Sequence, residues 1–352
     1  MTFFRDNIER MSAYVPGEQP ADPAGVVKLN QNENPYPPSP KALAVLREFD
    51  GTQLRLYPDP MVSAFRRSAA EVVGVGADWI LPGDGSDDLI IMIARAAAGP
   101  GRPIAYPVPT FPFYFAQGQI ENAPLVEVPA NEDFSLPIDK LAAVDAALAF
   151  VANPNSPTGA TAEVEQLDWL AGKISGLLVI DEAYVDFADT DAMDLARRRP
   201  NVIVLRTLSK SYSLAGLRLG FGVANPTLMG GLLKTKAIYN VGPLPAAVGA
   251  AAMSDVAYHD QCVRAILAQR THLAEALADR RWTVWPSGAN FLMVRPPGGD
   301  AKATFEALKA RSVLVRYFNQ DRMRDKLRIS IGTPQDIDAL LRALDAMAAE
   351  RA

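Results

Sequence analysis

The stretch Val202-Ile203-Val204-Leu205-Arg206-Thr207-Leu208-Ser209-Lys210-Ser211-Tyr212-Ser213-Leu214-Ala215-Gly216-Leu217-Arg218-Leu219-Gly220-Phe221-Gly222-Val223 sets one lysine and several small hydroxyl residues between two apolar runs. Residues 202–205 and 219–223 read as buried strands, which puts Lys210 on the loop between them. A lysine so placed is expected to be desolvated. Burial disfavours an ammonium ion, and a free amine can attack a carbonyl or hold a Schiff base. Ser209 and Arg218 could hold an anion beside it, so the set fits a phosphorylated aldehyde. Taken alone, a Ser-Lys pair with an arginine downstream is usually a surface lysine and a structural arginine, and the other loops have to carry the reading.

From Ile80 onward short apolar runs alternate with helical patterns, the signature of a parallel sheet flanked by helices. Strands are expected at 103–105, 125–128, 148–151, 177–180, 202–205 and 221–223. In an open α/β sheet, ligands lie at the carboxyl ends of the strands, so the loops there should converge. Asp181 directly follows the strand 177–180 and enters that crevice as a carboxylate in need of a cation. The protonated nitrogen of a pyridine ring is suitable, and pairing keeps such a ring an electron sink, which points to pyridoxal phosphate (PLP). Tyr184, three residues on, could reach the ring hydroxyl. A magnesium-binding aspartate is the competing reading, but no Gly-x-x-x-x-Gly-Lys-Ser/Thr precedes it. Gly83-Asp84-Gly85-Ser86-Asp87 is a glycine turn opening a helix to about residue 98. Its free backbone N–H groups and the helix dipole make an anion site, or simply an N-cap.

Two further loops follow expected strands. In Asn153-Pro154-Asn155-Ser156-Pro157-Thr158-Gly159 the prolines and the glycine fix the backbone, so that an asparagine amide can be aimed with little entropy loss. Phe111 is placed either to stack on a planar ring or to join the core. Arg316 and Arg328 come late, beside strands. Their planar forks suit carboxylate or phosphate, and ordinary ion pairs are the alternative.

Bulk properties exclude several function classes. The net charge is −5 with no block of five like charges, so no electrostatic footprint for nucleic acid or an anionic membrane is present. Arg197-Arg198-Arg199 reads as the solvated end of a helix before Pro200. Cys262 stands alone, which leaves no internal disulfide framework and no zinc cluster, and only His259 and His272 offer imidazoles. No metal site is expected. No run of eighteen apolar residues occurs and the first residues lack a secretory core, so a soluble cytoplasmic protein is expected.

A chain of 352 residues exceeds the usual single core. Residues 1–40 form an arm that should contribute to a small domain and to the site, ending in the run Leu29-Asn30-Gln31-Asn32-Glu33-Asn34-Pro35. Ser39 should cap a helix from Pro40 to about Glu48. Residues 41–253 read as a large α/β domain. Residues 254–352 read as a smaller α+β domain, with strands near 282–285, 291–294, 313–315 and 327–331 and helices at 256–280, 302–310 and 334–348.

In their order these segments resemble the fold-type I PLP-dependent aminotransferases, and within them the histidinol-phosphate aminotransferase group. The resemblance covers nearly the whole chain. It rests on Tyr14-Val15-Pro16-Gly17, Leu29 to Pro35, Tyr57-Pro58-Asp59, Asn155 to Gly159, Asp181-Glu182-Ala183-Tyr184 and Thr207 to Arg218. It implies that Lys210 forms the Schiff base and shuttles a proton between the substrate α-carbon and the cofactor. It further implies that Asp181 pairs with the ring nitrogen, Tyr184 and Asn155 bind the ring hydroxyl, and Phe111 stacks on the ring. Many relatives carry Asn where this chain has Ser156, so a Ser156 hydroxyl is the alternative to Asn155. The phosphate falls to Ser209, Arg218 and the backbone of Ser86 and Asp87, joined by Tyr57 of a second subunit in a homodimer. Arg316 and Arg328 would bind the anionic ends of the substrate, with Tyr14 and Asn32 closing over it. An amine donor and the pair glutamate/2-oxoglutarate are the implied partners. An aromatic amino-acid aminotransferase and a threonine-phosphate decarboxylase remain alternatives on the same scaffold.

Overall fold

The computed structural model describes residues 3–13, 18–20 and 25–350. Thirteen strands occur among them: β1 (Val27–Lys28), β2 (Ile80–Gly83), β3 (Ile104–Val108), β4 (Leu125–Pro129), β5 (Leu148–Ala152), β6 (Leu177–Asp181), β7 (Val202–Thr207), β8 (Gly220–Val223), β9 (Thr283–Val284), β10 (Phe291–Arg295), β11 (Val313–Leu314), β12 (Arg316–Tyr317) and β13 (Leu327–Ser330). Seven make one sheet in the order β2-β8-β7-β6-β5-β3-β4. It is parallel except for β8, which runs antiparallel to both of its neighbours.

The apolar runs of the sequence are continuous because this sheet is covered on both faces. Successive residues of one strand enter different cores: Ala149, Val151, Ile180 and Val204 pack on one side, Leu148, Phe150, Val179 and Ile203 on the other. The helix Gly85–Ala97 covers the second face through Leu89, Ile90, Met92 and Ile93. Val164–Lys173 covers the first through Leu167, Leu170 and Ala171. Ser39 caps Pro40–Glu48 as expected, its Oγ accepting from the Ala42 N–H at 3.2 Å. Strand β3 runs past the expected end at residue 105, through Pro107. It pairs with β5 only at Ile104 and Ala105, so the missing proline N–H falls where that ladder has already ended.

The C-terminal part builds a four-stranded antiparallel sheet, β12-β13-β10-β9, against the helices Val256–Asp279, Ala301–Lys309 and Pro334–Ala349. The N-terminal arm is threaded into this part. Strand β1, which carries no periodic signal, pairs parallel with β11, and Leu29 is buried in the same core as Leu292, Leu327 and Ile337. Among the described residues no helix is long and apolar enough to cross a membrane.

Candidate active site

The carboxyl ends of β5, β6 and β7, the start of Gly85–Ala97 and the arm enclose a cavity of about 250 Å³. Lys210, Asp181, Tyr184, Phe111, Ser86, Asp87, Ser209 and Arg218, all singled out from the sequence, line it. Lys210 is half-buried rather than enclosed, because its side chain opens into the cavity. Its Nζ lies 5.5 Å from the centre of the Tyr184 ring and 3.5 Å from the Gln31 carbonyl oxygen. Asn34 holds the loop from below, donating to the carbonyls of Lys210 at 3.1 Å and Ser211 at 2.9 Å.

Asp181 ends β6 and is 5 % exposed. Its Oδ2 accepts from the Tyr114 hydroxyl at 2.6 Å and its Oδ1 from the Ala183 N–H at 3.1 Å. Burial pushes its carboxyl up from 3.8 to about 6, against the pull of these two donors. A buried carboxylate held by neutral donors is short of a cation, and a protonated ring nitrogen in this cavity would supply one. Tyr184 accepts at its hydroxyl from Asn32 Nδ2 at 3.0 Å. Burial raises its phenol, but the charges of Lys210 and Arg328 together with the hydrogen bonds of Asn32 and Ser156 outweigh that, and the net displacement is downward. Phe111 stands edge-on to Tyr114, with ring centres 5.7 Å apart.

At the other end of the cavity the backbone is opened by glycine. Gly85 has φ +75, and a Cβ there would fall 2.5 Å from Arg218 Nη2; one on Gly220 would fall 2.7 Å from the Ser86 nitrogen. Arg218, itself at φ 55, reaches Asp87 Oδ2 at 3.1 Å. Ser209 is buried beside it, its Oγ accepting from Thr207 Oγ1 at 3.0 Å. Free N–H groups at the first turn of a thirteen-residue helix, an arginine and a serine hydroxyl form a phosphate cradle. The residues present fit pyridoxal 5′-phosphate at both ends.

Asn155 is not among the residues that line the cavity. Its amide is consumed within the loops: Oδ1 accepts from Thr110 Oγ1 at 2.7 Å, and Nδ2 donates to the Pro109 carbonyl at 3.0 Å and to Thr158 Oγ1 at 2.8 Å. Ser156 lines the cavity instead, and its Oγ accepts from Arg328 Nη1 at 3.1 Å. Arg328 also donates to the Asn30 carbonyl at 2.9 Å. Arg316 faces Arg328 across the β12–β13 ladder, and neither lines the cavity: Arg328 reaches it through Ser156. Asn32, at φ 57, is buried between Ser330 and Asn290 and reaches the site through Tyr184. Tyr57 is 82 % exposed, away from this chain's cavity, and stacks on Tyr239 with ring centres 4.6 Å apart. Tyr14 lies outside the described residues. Tyr114, Gln31, Glu33 and Asn34 were not singled out from the sequence. Nothing in the sequence around Tyr114 marks it, since its contact with Asp181 is set by the fold.

Residues 24–344 match the family described as aminotransferase class I and II. The chain is 48% identical over 342 residues to histidinol-phosphate aminotransferase 1 of Trichormus variabilis, covering 97% of this chain and 98% of that one. It is 40% identical over 344 residues to the histidinol-phosphate aminotransferase of Geobacter sulfurreducens, covering 97% and 98%. The crystal structure of histidinol-phosphate aminotransferase from Sinorhizobium meliloti in complex with pyridoxal-5′-phosphate superposes with a TM-score of 0.90 at 25% identity, covering 100% of this chain and 99% of that one. A lysine loop, a buried carboxylate and a glycine-lined cradle around one cavity accord with the match over residues 24–344: the chain belongs to the class I and II aminotransferases.

Proposed function

We propose that the protein transfers the amino group of histidinol phosphate to 2-oxoglutarate with pyridoxal 5′-phosphate as its cofactor, a step of histidine biosynthesis. The observation that carries the chemistry is the cavity shared by Lys210 and the buried, cation-seeking Asp181. The near-full-length likeness to histidinol-phosphate aminotransferases supports the choice of donor. When bound, the cofactor supplies an aldehyde carbon and an electron-withdrawing ring that make the donor's α-hydrogen acidic.

The side chains divide the remaining work. Lys210 takes the proton from the donor α-carbon and returns it on the other side of the transfer. Asp181, steadied by Tyr114, faces the ring nitrogen. Tyr184 and Ser156 would hold the ring hydroxyl, Phe111 would pack on the ring, and Ser209, Arg218 and the backbone of Ser86 and Asp87 would hold the phosphate. Arg328 takes a substrate carboxylate and Arg316 the distal anion. Asn32 and Tyr14 belong to the arm that keeps water out, which strengthens every charge interaction inside. 2-Oxoglutarate carries a carboxylate at each end and histidinol phosphate one phosphate, which suits two arginines.

The active form is a homodimer in which Tyr57 serves the neighbouring subunit's phosphate. Support comes from the exposed apolar group Leu54, Leu56, Tyr57, Ile238 and Tyr239 on one protomer. A cytoplasmic location accords with the single, free Cys262.

One panel tests the reading: histidinol phosphate, phenylalanine, tyrosine and threonine phosphate as donors, followed by 2-oxoglutarate consumption or carbon dioxide release. The expected result is the highest kcat/KM with histidinol phosphate. A higher value with phenylalanine makes the protein an aromatic aminotransferase, and carbon dioxide from threonine phosphate makes it a decarboxylase. Either result refutes the proposal.

A further inference from the structure

Arg316 and Arg328 are direct partners across the antiparallel β12–β13 ladder, so their side chains leave the sheet on the same face. Like charges directly opposite each other destabilise a strand pair and push their side chains apart. Phe318 lies two residues beyond Arg316. The Arg316 guanidinium carbon is 5.5 Å from the centre of its ring and that of Arg328 is 5.6 Å from it. One aromatic ring thus serves two cations that repel each other. The ring is half-buried and packs on the apolar cluster of Phe134, Met293 and Met323, in which Phe134 comes from the loop after β4 and Met293 from β10. Arg328 is also 5.3 Å from the Phe291 ring, Phe291 meets Tyr184 edge-on at 5.2 Å, and Lys210 lies over Tyr184. Cations and rings therefore form a continuous series from Arg316 to the lysine.

We propose that Phe318 is a positioning residue for substrate: its ring offsets the repulsion between Arg316 and Arg328 and fixes the distance between them, tuning the enzyme for substrates with two anionic ends. This rests on the reading of Arg316 and Arg328 as the substrate arginines. The ring adds no charge and touches no reacting atom. Its effect appears in the affinity for a doubly anionic substrate and not in the chemical step.

The test replaces Phe318→Leu, which keeps apolar packing on the cluster but removes the ring's attraction for cations, with Phe318→Tyr as the conservative rescue. Removing the ring's attraction for both guanidinium groups at once should raise KM for 2-oxoglutarate, which carries a carboxylate at each end, about five- to thirty-fold. The inhibition constant of inorganic phosphate, a readout without turnover, should rise with it. The kcat should stay within about threefold, and KM for phenylalanine, which lacks the distal anion, should move by less than about threefold. Phe318→Tyr should restore KM to within about twofold, since its ring keeps the same quadrupole. Arg316→Ala runs in parallel. If Arg316→Ala raises KM for 2-oxoglutarate and Phe318→Leu does not, the role of Phe318 is refuted while the arginine reading stands. If Arg316→Ala has no effect, the arginine reading falls and the proposal with it. Equal losses with 2-oxoglutarate and with phenylalanine, or a fall in kcat with a lowered thermal midpoint, make Phe318 a packing residue only and overturn the proposal.

Discussion

Asp181→Asn separates what the buried carboxylate does for the cofactor from what it costs the fold. In the apoprotein the group is raised from 3.8 to about 6 by burial, which corresponds to about 3 kcal/mol of disfavoured charge. A carboxyl that holds its proton more tightly folded than unfolded contributes stability that is complete below about pH 4 and lost as pH rises through about 6. Asparagine never ionises, and its amide oxygen can still accept from Tyr114. The apoprotein variant should therefore be more stable than the parent above pH 6, by up to about 3 kcal/mol, with the difference vanishing as pH falls towards 4. The holoenzyme should respond in the opposite sense. An opposite charge in contact at an effective dielectric near 20 is worth about 4 kcal/mol, so kcat/KM should drop about 10³-fold. Urea unfolding of both apoproteins from pH 4 to 8, with steady-state kinetics of both holoenzymes, measures the two halves. An apoprotein variant no more stable than the parent at pH 8, or a holoenzyme within tenfold of it, refutes the reasoning.

Other substitutions test neighbouring parts of the site. Gly85→Ala adds a Cβ 2.5 Å from Arg218 Nη2 at a residue with φ +75, and should weaken cofactor binding about tenfold or more in a fluorescence titration of the apoenzyme. Asn155→Ala leaves buried partners unsatisfied and should cost about 1–3 kcal/mol in urea unfolding, whereas Ser156→Ala should lower kcat/KM with little change in the unfolding midpoint. His259 loses from burial but is raised overall by Asp186 and Asp260, so its contribution to stability is complete below about pH 6.5 and lost as pH rises above that. His259→Gln should flatten that decline in thermal midpoints measured from pH 6 to 9.

Sequence reading located the cavity well because its principal residues sit at strand ends, where a local pattern of apolar run followed by polar residue is enough. Lys210, Asp181 and Phe111 are of this kind. The direction of the Asn155 side chain was not legible, because it is decided by Pro109 and Thr110, which approach from a loop about 45 residues earlier in the chain. Tyr114 was missed because the helix Phe113–Ile120 is apolar with no marked polar face, and only the fold sets its hydroxyl against Asp181. The end of β3 was misplaced because Pro107 reads as a breaker unless the length of the neighbouring ladder is known. Strand β1 was invisible for a similar reason. Two residues carry no period, and their pairing is specified by β11 at the far end of the chain.

The arm also sets a timetable. Asn32 meets Ser330 across 298 residues of sequence, and Asn34 grips the lysine loop across 176. Translation at about 5–20 residues per second separates the emergence of Asn32 from that of Ser330 by about 15–60 s. For that interval the nascent chain can fold the seven-stranded sheet, whose last strand ends at Val223, while the arm has no β11 or β13 to bind. Lys210 and Asp181 are then in place under an open roof. Cofactor captured at that stage would meet solvent water, and the closed site becomes available only when the last strands leave the ribosome.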